Sequence, residues 1–272
     1  MVYGDVGSLI PVLPGMDDAA SQTPTPARHR LACVQMNPLL VSVAPYAQYL
    51  CKLLAGRLTM SAWERHQMGD LAEHLECVAR QCDLLVFAEP EQSVLERVLA
   101  IRPGCQTAVS CPTSVLVARQ PRWPLERVLL VVRADGGDET AVAWAGKLTQ
   151  ASGAELTILA VAPALPVMYS LSRNVQVGMD VLLAPNTHSG AQLRHIAQQL
   201  AAWDVSGLLR LHQGEPDWQI RWEVEAGDYD LVIIAAERHG RFHRLVLGEL
   251  VGPLLHWIER PLLVARAPVN DM

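Results

Sequence analysis

In the second half of the chain, short apolar runs alternate with longer stretches in which apolar residues recur at helical spacing. The apolar runs predict strands at Val128–Arg133, Glu155–Val161, Gly207–Leu211, Tyr229–Ala235 and Leu262–Ala265. The longer stretches predict helices at Glu139–Ser152, Ser189–Trp203, Pro216–Ala226 and Gly248–Ile258. The run VLLVVR (128–133) shows no polar alternation, which is typical of a parallel strand buried on both faces. The alternation of strands and helices predicts an α/β fold with a parallel sheet covered on both sides.

The first half shows a shorter version of the same alternation. Its apolar runs predict strands at Leu31–Gln35, Asp83–Ala88 and Ser114–Ala118, and its helical spacing predicts helices at Val43–Leu58, Ser61–Arg80 and Ser93–Ile101. The first half therefore lacks one or two of the strands predicted for the second. Two prolines in RQPRWPLE (119–126) break the pattern and indicate a joint. We divide the chain into a flexible N-terminal segment (1–28), a truncated first domain (29–120) and a second domain (121–272).

One segment of the first half recurs in the second half. The first copy begins DLLVFAEPEQSVLERVL at Asp83 and closes with CPTSVLVAR; the second begins DLVIIAAERHGRFHRLVLGELVG at Asp230 and closes with RPLLVAR. The proline of the closing run follows the aspartate by 29 residues in the first copy and by 31 in the second. This match in order and spacing predicts two related domains in tandem.

Composition restricts the class of function. The net charge of −6 argues against a nucleic-acid surface, which normally contains a basic patch. No apolar run reaches the roughly 18 residues of a membrane span, and the N-terminus has no basic region followed by an apolar stretch. We therefore expect a cytoplasmic protein with no membrane span. The six cysteines match no zinc-ligand spacing, so we predict small buried residues and no metal site.

The ends of two predicted strands are candidate ligand contacts. In a parallel sheet of this kind, ligands bind beyond the carboxyl ends of the strands. In ADGGDET (134–140), Asp135 offers a carboxylate to an adenine amino group or a ribose hydroxyl, and Gly136 allows close approach of the backbone. Val161 ends the next strand, where its backbone is placed to meet the edge of a base. Asp-Gly is also a common turn pair, so a purely structural role for Asp135 stays open.

A third segment, AAERHGRFHRLVLGE (235–249), follows the fourth predicted strand of the second half. His239 and Gly240 lie in its basic part, and Gly248 precedes a predicted helix whose first amides suit a phosphate group. The segment therefore predicts an anion site. The alternative interpretation is a basic loop exposed to solvent.

With these segments placed, the second half resembles the universal stress protein family over about Arg127–Arg266. The resemblance rests on Asp-Gly-Gly after the first strand, GEPDWQI, DLVIIAAERHG, LVLGE and the closing RPLLVAR. The first half resembles a degenerate copy, mainly over Asp83–Arg119, so the whole chain resembles a tandem universal stress protein. The resemblance implies two tandem Rossmann-like (HUP) domains with five-stranded parallel sheets, the first of them truncated.

The resemblance also implies how the two domains associate. Members of the family usually pair through their last strand. In a tandem chain this pairing is expected within the molecule, with Ser114–Ala118 beside Leu262–Ala265, as a pseudo-dimer. A homodimer of the whole chain is a further arrangement that the resemblance allows.

The ATP-binding branch of the family carries Gly-x2-Gly-x9-Gly-Ser/Thr after its fourth strand, and this chain departs from that motif. Glu237 replaces the first glycine, seven residues rather than nine separate Gly240 from Gly248, and Glu249 replaces Ser or Thr. Since like charges repel in a partly desolvated site, these two carboxylates disfavour a bound triphosphate. The resemblance implies ATP or AMP in the second domain, at the candidate residues named above. The corresponding first-half segments, VQMNP and AEPEQS, lack the aspartate and the glycines, so we expect no nucleotide there.

Three functions stay open from the sequence. The first is a non-catalytic stress-response regulator that binds an adenine nucleotide or another small ligand and acts through partner proteins, since no catalytic constellation stands out. The second is a scaffold that has lost ATP binding or binds a different small ligand. The third is a weak ATPase in which His239 and His243 act as acid or base groups.

Overall fold

The computed structural model describes residues 29–35, 43–63, 71–88, 111–133, 136–162, 187–236 and 251–267. Within these ranges, nine strands form one mixed sheet and six helices cover it. The strands are β1 (Arg30–Gln35), β2 (Arg57–Ala62), β3 (Leu84–Phe87), β4 (Ser114–Val117), β5 (Arg127–Val132), β6 (Glu155–Ala162), β7 (Gly207–Gln213), β8 (Leu231–Ala235) and β9 (Leu262–Ala265). The helices are α1 (Ala44–Leu53), α2 (Leu71–Ala79), α3 (Glu139–Ser152), α4 (His188–Ala201), α5 (Pro216–Gly227) and α6 (Val251–Trp257).

Two parallel half-sheets meet in the middle of this sheet. The strand order is β2-β1-β3-β4-β9-β8-β5-β6-β7, and every neighbouring pair is parallel except β4 and β9. The antiparallel pair places Leu116 opposite Leu263, which confirms that the two closing runs lie side by side. Main-chain hydrogen bonds therefore continue across this junction, so the two half-sheets form one mixed nine-stranded sheet, while the division into two tandem domains stays a prediction.

The two half-sheets differ by one edge strand. The second half is ordered β9-β8-β5-β6-β7 and the first half β4-β3-β1-β2, so among the described residues the first half has no counterpart of β7. β2 therefore occupies the position that β6 occupies in the second half, but it forms the edge of the sheet. The connection explains the difference: residues 63–70 join β2 to α2, whereas residues 163–215 join β6 to α5 and include α4 and β7.

Strand β2 contradicts the predicted helices Val43–Leu58 and Ser61–Arg80. Helix α1 ends at Leu53, and Ala55 has a positive φ of 48°. A Cβ on Gly56 would lie 2.6 Å from the carbonyl oxygen of His29, so only glycine fits where the chain turns back beside β1. The predicted helix Val43–Leu58 is too long because apolar residues continue at helical spacing past Ala55 and Gly56, where α1 has already ended. The predicted helix over 93–101 lies outside the described residues.

The hydrophobic core consists of one layer on each face of the sheet. Helices α1, α3 and α4 bury residues such as Leu50, Val142 and Ile196 on one face. Helices α2, α5 and α6 bury residues such as Leu75 and Leu254 on the other. Strands β3, β4, β8 and β9 are buried along their whole length, which explains their uninterrupted apolar sequences. Of the helices in the described ranges, none has the length and apolar character needed to cross a membrane.

Candidate ligand-binding site

The candidate site lies at the edge of the sheet where β5, β6 and β8 end. Strand β5 lies between the other two, with Val132 opposite Ala160 and Val131 opposite Ile234. Since parallel strands bring their carboxyl ends to one edge, the residues that follow them border a common space. Val161 is half-buried at this edge, as its position in the sequence predicted.

Two successive glycines shape the turn after β5. Gly136 and Gly137 have φ angles of +100° and +86°, a region that side chains with a Cβ rarely adopt. A Cβ built on Gly136 would meet no described atom within 4 Å. Among the described residues, the turn therefore has free space beside Gly136, and the ligand contact of Gly136 stays a prediction.

Asp138 is buried beneath the same turn and holds its two ends together. Its side chain is 1% exposed, and its Oδ2 accepts a hydrogen bond from the Arg133 backbone N–H at 3.0 Å. Its Oδ1 lies 3.5 Å from Arg133 Nε, and Arg133 Nη2 donates to the Gly137 carbonyl at 3.4 Å. Asp138 occupies the N-cap position of α3 but makes no capping hydrogen bond with its side chain, because its carboxylate faces back to β5. Arg133 was not among the predicted site residues, although the sequence places an arginine and an aspartate on either side of the Gly-Gly turn.

Four of the six predicted site residues lie outside the described residues. They are Asp135, His239, Gly240 and Gly248. The structure therefore places Gly136 and Val161 at one edge of the sheet, and the anion loop stays a prediction. The first-half segments that were predicted to lack a nucleotide site also lie largely outside the described residues.

A buried polar cluster lies next to this edge, between β7 and α5. Glu223 is fully buried, and its Oε1 accepts hydrogen bonds from Arg210 Nη1 at 2.9 Å and from the Tyr229 hydroxyl. His212 lies opposite Val161 in the sheet, and its Nε2 is 3.4 Å from Glu223 Oε2. Burial and the hydrogen bond to Glu223 raise the pKa of Tyr229 to about 12, so its hydroxyl remains a donor. Glu223 was not among the predicted site residues, because nothing local distinguishes it from the exposed Glu225 of the same helix.

The described cysteines do not form a reactive centre. Cys33, Cys82 and Cys111 are buried and unbonded to one another, while Cys77 is exposed. Burial raises the pKa of Cys33 and of Cys82 to about 12, so these thiols stay protonated. Within the described ranges, no three His, Cys, Asp or Glu side chains are grouped to hold a metal ion.

A sheet covered on both faces, with a glycine turn at the carboxyl end of a central strand, defines a Rossmann-like α/β protein. Comparison with known families agrees with this class. The model of the universal stress protein family matches residues 124–266, which is more than half of the chain. The chain belongs to the universal stress protein family.

Solved structures show the same fold over most of the chain. A protein of unknown function from Pseudomonas aeruginosa PAO1, PA1789, has a TM-score of 0.61 at 16% identity, covering 88% of this chain and 93% of that one. A putative universal stress protein from Pseudomonas aeruginosa UCBPP-PA14 has a TM-score of 0.56 at 15% identity, covering 88% and 94%. A universal stress protein from Archaeoglobus fulgidus DSM 4304 has a TM-score of 0.52 at 13% identity, covering 84% and 76%. At these identities the similarity concerns the fold alone. A search of curated proteins gives no match.

Proposed function

We propose that this protein is a non-catalytic regulator in the stress response, which binds an adenine nucleotide or another small ligand and acts through partner proteins. The observation that carries the proposal is the Gly136–Gly137 turn at the edge where three parallel strands end, where no described atom lies within 4 Å of a Cβ placed on Gly136. Membership of the universal stress protein family supports it.

The chemistry of this edge suits holding a ligand rather than transforming one. Glycine lets a backbone approach a ligand closely, and Asp135, which follows β5 in sequence, would supply a carboxylate for an adenine amino group or a ribose hydroxyl. The two charged side chains that the structure describes at the turn, Arg133 and Asp138, pair with each other. Because each is engaged in fixing the turn, we assign them to shaping the site and not to proton transfer.

We also propose that the first half is a degenerate copy of the second and carries no nucleotide. The shared strand order β4-β3-β1-β2 and β9-β8-β5-β6 supports the duplication, as does the repeated aspartate before β3 and β8. Under this proposal the chain is a pseudo-dimer with one ligand site.

Isothermal titration of the full chain with ATP, ADP and AMP, together with native mass spectrometry of the purified protein, tests the proposal. We expect one adenine nucleotide per chain. Gly136→Ala should weaken binding at least about tenfold, because a Cβ disfavours the φ of +100° and shifts the turn. Gly153→Ala is the matched control, since Gly153 also has a positive φ, of +71°, and lies at the far end of α3.

Each outcome separates the candidate functions. An empty chain that takes up none of the three nucleotides would contradict nucleotide binding and favour the scaffold. An equal loss in Gly136→Ala and Gly153→Ala would assign the effect to general destabilisation. Phosphate release from ATP that is abolished by His239→Ala would contradict the non-catalytic assignment and favour the ATPase.

A further inference from the structure

Strand β2 leaves one edge of the sheet open. Among the described residues, no strand pairs with the outer side of β2. Buried and exposed residues do not alternate regularly along β2, and Arg57, Thr59 and Met60 are all exposed. Met60 is 45% exposed, which makes it one of the few large apolar side chains at the described surface. In the second half the corresponding strand, β6, is covered along its length by β7.

The backbone of β2 offers a regular set of outward hydrogen-bonding groups. The Arg57 N–H donates to the His29 carbonyl at 2.8 Å. The backbone N–H and carbonyl groups of Arg57 and of every second residue after it therefore point toward β1. The N–H and carbonyl groups of Leu58, Met60 and Ala62 consequently point away from β1. Outward groups that no described strand pairs with are a template for pairing with another strand.

We propose that a second copy of this chain docks on this edge, through antiparallel pairing of β2 with its own copy about a two-fold axis at Thr59. In this register the outward backbone groups of Leu58 meet those of the copy's Met60, and the reverse. Thr59 lies opposite the copy's Thr59, and Arg57 lies opposite the copy's Ser61. The nine-stranded sheet would then continue across two molecules.

The side chains of β2 are complementary to themselves in this register. Leu58 and Met60 share one face of the strand. In the dimer, Leu58 of each molecule packs against Met60 of the other, which removes the exposed Met60 from water. The strand's one charged residue, Arg57, faces a hydroxyl group rather than a like charge. Thr–Thr pairs across antiparallel strands are favourable.

The other strands are less suited to a two-fold contact. Full-length pairing of β7 with its copy would be centred on Arg210, which would place two guanidinium groups opposite each other. Strand β9, through which members of the family usually pair, already pairs with β4 inside the chain. The open edge of β2 is therefore the surface we assign to self-association.

Sedimentation of the full chain tests this assignment. We expect a concentration-dependent dimer for the natural sequence. Thr59→Lys and Thr59→Asp each place like charges at the two-fold axis, and each should raise the dimer Kd more than about tenfold. Mixing the two variants should restore a heterodimer, because lysine then faces aspartate.

A substitution on the opposite edge of the sheet serves as the control. Gln213→Lys, on the exposed end of β7, should leave the dimer unchanged. Restoration by mixing excludes misfolding of the Thr59 variants as the cause of dissociation. A monomer at all concentrations would overturn the proposal, as would dissociation by Gln213→Lys with the dimer intact in both Thr59 variants.

Discussion

Asp83 and Asp230 precede matching strands in the two halves and make the same backbone contacts. The Asp83 N–H donates to the Arg30 carbonyl at 2.7 Å, and its Oδ2 accepts from the Arg30 N–H at 2.8 Å. The Asp230 N–H donates to the Arg127 carbonyl at 2.9 Å, and its Oδ2 accepts from the Arg127 N–H at 3.0 Å. One carboxylate thus joins β3 to β1 and another joins β8 to β5, which explains why the aspartate recurs.

The surroundings of the two aspartates differ. The Asp83 side chain is 37% exposed and pairs with the Arg30 guanidinium. The Asp230 side chain is 10% exposed, accepts a further hydrogen bond from the Glu126 N–H and pairs with Arg122 of the joint. The same local contact is therefore more strongly desolvated in the second half.

A second difference concerns the helix that precedes each aspartate. A glutamate lies seven residues before the aspartate in both halves, Glu76 in α2 and Glu223 in α5. Glu76 is 54% exposed and pairs with Arg80 one turn later, whereas Glu223 is fully buried among polar partners. Equal spacing along the chain therefore does not determine equal burial.

The largest effect is expected for Glu223→Ala. Removing a fully buried carboxylate leaves the Tyr229 hydroxyl and Arg210 without their acceptor and should lower the free energy of unfolding by about 3–5 kcal/mol. Glu225→Ala, in the same helix, removes an exposed pair with Arg221 and should change it by less than about 1 kcal/mol. Urea unfolding followed by tryptophan fluorescence measures both, and equal effects would contradict the buried role of Glu223.

A smaller effect is expected for the two aspartates. Asp230→Ala leaves the backbone N–H groups of Glu126 and Arg127 without this acceptor and Arg122 without its partner, and should cost about 2–3 kcal/mol. In Asp83→Ala, water can reach the Arg30 groups that lose their acceptor, because this site is partly exposed. The substitution should therefore cost about 1 kcal/mol. Parallel urea titrations give the ratio, and a greater loss for Asp83→Ala would reverse our ranking of the two halves.

The smallest effect is the acid dependence contributed by Asp83. Burial by itself raises the pKa of this carboxyl, but the hydrogen bonds and charge of Arg30 outweigh it and hold the pKa below its ordinary value. The stabilisation is therefore complete above about pH 4 and disappears as the pH falls through the lowered pKa. Asp83→Asn should lower the free energy of unfolding by less than about 1 kcal/mol at pH 6–7, since the side chain is partly exposed.

The variant and the natural chain should converge in stability once the pH lies below the lowered pKa of the folded state, where the carboxyl is protonated in both folded and unfolded states. Urea titrations at fixed ionic strength on both sides of this pKa measure the difference. A difference that persists undiminished at low pH would show that Asn disturbs packing rather than charge.

The elements of the second half were predictable because each apolar run there is long enough to be buried and is bounded by a turn residue. The helix Glu139–Ser152 was predicted to the residue, since Gly153 adopts the left-handed conformation that ends it. Strand β2 was not predictable in the same way, because its exposed edge position removes the apolar signal. Of the site, the sequence indicated Gly136 and Val161 but not the pairing of Arg133 with Asp138, which requires a folded turn.

By itself, the sequence determined the α/β class, because the apolar periodicity that distinguishes strands from helices is a local property of each segment. The pairing of the two closing runs was implied only by the resemblance to the universal stress protein family. Tertiary structure alone decided that the halves form one mixed sheet, that β2 is an edge, and that Glu223 is buried while Glu76 is not. Those outcomes depend on which surfaces remain available once neighbouring strands and helices have packed, and burial is a property of the assembled layers rather than of any segment.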